Sequence, residues 1–205
     1  MKKITYLQSL MLALGVTLLV ALGLILYILR DTLAEGSTLL ATPLGSVMTE
    51  GTSTIPLRLR IVALQVDAKI QQVGRTSAGL MGIPSNFTDV AWYKLGPQPG
   101  GTGSAVIAGH LDNALALSGV FKHLGDLRIG DEVDVDTAAA GTIRFRVIRI
   151  AVYPYDQVPL DELFKKNDGA YLNLVTCAGV WLKSKKTYDQ RLIVYTARIP
   201  EGTAN

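Results

Sequence analysis

The chain has 205 residues, with 20 Lys and Arg against 17 Asp and Glu, a net charge of +3, 49% hydrophobic residues, two His and one Cys. That length suits one ordinary domain with an appendage, and the apolar content with so small a net charge excludes a disordered chain. One Cys excludes an intramolecular disulfide and, with two His, argues against a metal cage; no clustered basic face points to nucleic acid.

No charged residue occurs from Ile4 to Leu29, and the run from Met11 to Leu29 is apolar throughout. About 20 residues in a helix cross a ~30 Å hydrocarbon core, where every backbone polar group must be paired internally. Residues 1–30 are therefore predicted to form a cytoplasmic stub and a single transmembrane helix. Lys2 and Lys3 before the run place the N-terminus inside and export the rest. The alternative is a cleaved signal peptide, for which Thr32-Leu33-Ala34 offers a loose cleavage site but the apolar run is long. Residues 31–54, rich in Thr, Ser and Gly, read as a linker that holds the next domain within roughly 25–30 Å of the bilayer. A short helix within Gly45 to Glu50 is compatible with this.

Residues 55–200 carry the globular domain. Leu57, Leu59 and Ile61 alternate with Arg58 and Arg60, the period of a half-buried strand. Val66 to Val73, Ser104 to Ala108, Glu132 to Asp136, Thr142 to Tyr153, Tyr171 to Thr176 and Arg191 to Ile199 read as further strands, with Ile143, Phe145, Val147 and Ile148 as the apolar positions of the longest. Short strands between Gly, Pro and Asp turns argue an all-β barrel or sandwich. Gly119 to Leu124 and Leu160 to Lys166 suit a helical turn or two. Gly96 to Gly103 is Gly-rich but lacks the Lys-Ser/Thr of a phosphate loop and reads as a flexible connection. The carboxylates of Asp131 to Asp136 read as solvated charge along a strand edge. Residues 201–205 form a tail.

Three chemically capable residues fall at predicted junctions of strand and loop, where side chains reach the rim of a sheet. Cys177 follows the LNLVT strand, His110 ends SAVIAGH, and Arg191 opens the last strand. A Cys nucleophile, a His proton carrier and an Arg oxyanion partner make a coherent acyl-transfer set. The competing readings are a buried structural Cys, a hydrogen-bonded His and a solvated Arg. His123, in VFKHL, reads as a partly exposed helix residue. Asp112 is either a tuner of the imidazole or a solvated loop carboxylate; Thr176 either contacts substrate or fills the strand.

The stretches AVIAGHLD around His110, LNLVTCAG around Cys177 and YDQRLIVYT around Arg191 resemble sortases, the membrane-anchored cysteine transpeptidases of bacterial cell surfaces. IVALQVDAKIQQVG, VAWYKLGPQPGGTGSAVIAGH and GVFKHLGDLRIGDEVDV extend the likeness over Ile55 to Ile199, with a flavour nearest to classes E and F. The resemblance implies a closed eight-stranded β-barrel, with Cys177 as nucleophile, His110 as general acid and Arg191 as substrate-positioning and oxyanion group. It implies an LPxTG-like sorting signal as substrate, a cell-wall precursor or pilin amine as acceptor, no cofactor, and a single-pass membrane location with the catalytic domain outside. No acidic cluster matches the calcium site of some relatives, so no metal is expected. Ala178 and Val180-Trp181 depart from the Gly and Phe-Asp common in relatives, which bears on substrate preference. The alternatives are a pilin polymerase, a hydrolytic cysteine protease and a catalytically silent tethered binding module.

Overall fold

The computed structural model describes residues 55–112 and 117–200. The expected membrane helix, the linker with its Gly45 to Glu50 segment, and the tail lie outside these residues. Among the described residues no helix is long and apolar enough to cross a membrane.

Eight strands form one closed sheet: β1 (Pro56–Ile61), β2 (Val66–Val73), β3 (Val90–Tyr93), β4 (Gly103–Gly109), β5 (Glu132–Thr137), β6 (Gly141–Pro154), β7 (Ala170–Leu182) and β8 (Thr187–Arg198). Their order around the barrel is β1-β2-β3-β4-β7-β8-β6-β5, with β5 returning to β1. The β2/β3 and β4/β7 pairs are parallel and the others antiparallel. Closure leaves no open sheet edge.

Alternation puts Leu59 and Ile61 of β1, Val133 and Val135 of β5, and Ile143, Phe145 and Val147 of β6 into the interior. Phe121 and Leu124, from the β4–β5 connection, are fully buried in the same core. A short helix, α1 (Leu160–Lys165), lies in the β6–β7 connection. Its Leu163 joins Val106, Ile193 and Tyr195 in a second apolar cluster. Val106 and Ile193 alternate with the interior residues Ile107, Leu192 and Val194, so β4 and β8 are buried on both faces. That is why they read as continuous apolar runs. Asn173, buried on β7, donates from Nδ2 to the Leu163 carbonyl at 2.8 Å and so is satisfied.

The structure corrects four readings. Leu57 is 52% exposed and Ile148 is 44% exposed. Both lie within bulges, between Pro56 and Arg58 on β1 and between Val147 and Arg149 on β6, where the extra residue breaks the period of two. The carboxylates of β5 are not at a sheet edge. Asp136 pairs with Arg60 at 2.9 Å, while Asp134 lies 3.9 Å from the same guanidinium. Burial pushes the Asp134 carboxyl above the usual carboxylate range, against the pull of Arg60. Gly96 to Gly103 is a packed connection. Trp92 Nε1 donates to the Pro97 carbonyl at 3.2 Å and Arg198 Nη1 to the Gly100 carbonyl at 2.9 Å. Gly100, at φ +88°, lies so close to Ile143 that an added Cβ would stand 2.6 Å from its Cδ1.

Candidate active site

Strand β7 lies between β4 and β8, and its register with each neighbour fixes the site. On the antiparallel side Cys177 is directly opposite Arg191. On the parallel side the ladder runs Ile107↔Leu174, Ala108↔Val175; continued in register, it sets His110, the residue after β4, level with Cys177. Interior residues on these strands are Ala105 and Ile107, Leu172 and Leu174, and Leu192 and Val194. His110, Cys177 and Arg191 each have the opposite parity. By this parity the three residues form one outward-facing row, with Cys177 and Arg191 on β7 and β8 and His110 just past the end of β4.

Only His110 lies at a strand tip. Cys177 is inside β7 and Arg191 is inside β8, because this pair runs on past the barrel as a two-stranded ribbon. A bulge between Ala178 and Trp181 marks where the ribbon departs. Gly179, at φ +79°, allows it, and the Val180 amide donates to Asp189 Oδ1 at 2.7 Å.

Beyond Gly109 the ladder no longer holds the chain, and other contacts take over. Thr176, 3% exposed, donates from Oγ1 to the Gly109 carbonyl at 2.9 Å. Its hydroxyl joins β4 to β7. The Phe121 amide donates to the His110 carbonyl and the Gly119 amide to the Leu111 carbonyl, both at 2.9 Å. Gly109 faces Phe121 so closely that a Cβ would stand 2.5 Å from Cδ2 of the ring. Gly109→Ala therefore overpacks the core beside His110, and we expect a loss of about 1–3 kcal/mol, measured by urea unfolding monitored by tryptophan fluorescence.

The His110 ring stacks on Phe87 with centroids 4.6 Å apart. Its Nε2 lies 3.1 Å from the Pro84 carbonyl. A carbonyl only accepts, so Nε2 carries a hydrogen and Nδ1 is the nitrogen left for other partners. Arg191 is held from behind. Nη1 donates to the Tyr188 and Gln190 carbonyls at 3.0 and 2.7 Å, and Nη2 to Thr187 Oγ1 at 2.7 Å. A guanidinium has five N–H groups, so these bonds leave Nε–H and one Nη2–H for a ligand.

Cys177 is half-buried and reduced. Burial pushes its thiol above the ordinary range; the Arg191 charge pulls it down, and the Asp112 carboxylate pushes it further up. The resting group at neutral pH is thus the thiol. Iodoacetamide should alkylate Cys177 with a pH midpoint above the ordinary thiol value of about 8.5. Arg191→Gln should move that midpoint higher still.

Asp112 is not a solvated carboxylate, nor does it pair with the imidazole. Its side chain is 14% exposed and accepts a 2.6 Å hydrogen bond from the Tyr188 hydroxyl, with Lys122 Nζ 3.8 Å away. His123 stays outside the site, 70% exposed and 3.0 Å from Asp126. The sequence gives no sign of Tyr188. Its place emerges only from the β7/β8 register, which sets it opposite Trp181.

A closed β-barrel with a Cys and an Arg paired on two neighbouring strands and a His just past the end of a third defines a candidate acyl-transfer protein. The family model described as "Sortase domain" matches residues 59–199, and the chain belongs to the sortase family. Among solved structures it is similar to sortase C-1 from Actinomyces oris, at 24% identity over 70% of this chain and 73% of that one, with a TM-score of 0.55. A lid mutant of sortase A from Corynebacterium diphtheriae gives 22% identity, 73% and 72% coverage, and a TM-score of 0.55. A sortase D5 transpeptidase from Clostridium perfringens gives 22%, 71% and 79%, and 0.52. These likenesses show the fold and assign no class. Comparison with curated proteins gives no match.

Proposed function

We propose that the chain is a membrane-anchored cysteine transpeptidase that cleaves an LPxTG-like sorting signal and passes the acyl group to a cell-wall amine. The observation that carries this reading is the shared row of His110, Cys177 and Arg191. The Cys177 thiol passes its proton to His110, and the thiolate attacks the Thr carbonyl carbon of the signal. The resulting oxyanion accepts hydrogen bonds from the free N–H groups of Arg191. As the C–N bond breaks, protonated His110 gives its proton to the departing Gly amine, leaving a thioester on Cys177. The acceptor amine then attacks the thioester carbonyl, gives its proton to the now neutral His110, releases the thiolate and forms the new amide. Arg191 only donates, so proton transfer falls to His110. The apolar run of residues 11–29 holds the enzyme in the cell membrane as a single pass, with residues 55–200 outside.

The test is to incubate the full chain, in detergent, with a fluorogenic LPxTG-type peptide, with and without oligoglycine or a diaminopimelate-type amine. Amine-dependent ligated product is expected. Cleavage without ligation in the presence of either amine assigns a hydrolytic protease. No turnover in a folded chain assigns a silent binding module.

A further inference from the structure

One residue touches both flanks of the row without belonging to it. Tyr188, on β8, donates its hydroxyl to Asp112 Oδ1 at 2.6 Å, and Asp112 lies two residues beyond His110. The same residue's backbone carbonyl accepts Nη1 of Arg191 at 3.0 Å. Its ring packs edge-on against Trp181, centroids 5.3 Å apart, across the β7–β8 ribbon. The Asp112–Tyr188 hydrogen bond thus joins the segment after β4 to β8, spanning the strand that carries Cys177.

We propose that Tyr188 is a positioning residue: its hydrogen bond to Asp112 ties the His110 segment to the Cys177–Arg191 strand pair and fixes the Asp112 charge relative to the sulfur. The proposal rests on the acyl-transfer reading for its effect on turnover, but not for its effect on the thiol. The charged and titratable groups around Cys177 are His110 at the end of β4, Asp112 after it, and Arg191 and Tyr188 on β8; Lys122 lies against Asp112. The Asp112 side chain is 14% exposed, and Tyr188 supplies its short hydrogen bond. Asp112 in turn pushes the Tyr188 hydroxyl up to about 12, so Tyr188 remains a donor throughout the physiological range.

Two substitutions that remove the same bond have opposite electrostatic results. Tyr188→Phe keeps the ring but leaves the Asp112 charge without its donor, so the Cys177 thiol is harder to ionise. Asp112→Ala removes the charge, so the thiol ionises more easily. The experiment measures iodoacetamide alkylation of Cys177 against pH in the full chain, in the two single variants and in the double variant, alongside kcat/KM with the LPxTG-type peptide. We expect the alkylation midpoint to rise in Tyr188→Phe and fall in Asp112→Ala, with the double variant matching Asp112→Ala, and kcat/KM to drop about tenfold in each single variant. Midpoints moving the same way, no shift in Tyr188→Phe, a Tyr188→Phe shift that persists without Asp112, or unchanged kcat/KM in Tyr188→Phe would overturn the proposal. A wild-type chain that alkylates as expected but does not turn over peptide defeats the enzymatic reading alone, and the midpoints still decide the role of Tyr188.

Discussion

Replacing Cys177 with Ala should lower amine-dependent ligation by a factor on the order of 10⁴ or more, with the fold intact. The sulfur is the only thiol in the chain, so no other cysteine can take over the covalent step. The side chain sits half-buried on the outer face of β7, outside the interior cluster, so removing one sulfur atom there leaves the barrel packed. Far-UV circular dichroism and the unfolding temperature should match the parent within a few degrees. An equal loss of activity and of folded protein would instead mean that Cys177 is structural.

Arg191→Lys should reduce kcat/KM by about 10²–10³-fold, the usual cost of losing an oxyanion donor. Charge is retained, so a purely Coulombic role predicts nearly full activity. The structure argues otherwise. Three N–H groups of the guanidinium are fixed by the Tyr188 and Gln190 carbonyls and Thr187 Oγ1, and this orients the remaining two. An ammonium has no planar fork to orient. Steady-state kinetics should show the loss chiefly in kcat, because the donors act on charge that develops during attack.

Much of the barrel was legible because its strands obey a period of two. Val66–Val73 matches the expected strand end to end, and β6 differs by a residue at each end. β3 was missed: Val90–Tyr93 is four residues long and buried throughout, so it shows no alternation. Leu57 and Ile148 were misread because a bulge is a property of pairing, invisible in one strand alone. The same holds at the site. Cys177, His110 and Arg191 could be picked out as chemically capable residues, but the sequence suggested three strand ends where the structure has one. The continuation of β7 to Leu182 and the start of β8 at Thr187 depend on the two strands pairing with each other beyond the barrel. Tyr188 and the true partner of Asp112 depend on that ribbon too, as a contact between residues 76 apart leaves no local signal.

The most direct test of the covalent role of Cys177 is intact-mass spectrometry of the full chain mixed with an LPxTG-type peptide. The expected result is an adduct equal to the peptide segment up to Thr, mapped to Cys177, that disappears on adding the acceptor amine as ligated peptide forms. A chain that turns over peptide with the acyl group on another residue, or with the same adduct after Cys177→Ala, would contradict that role.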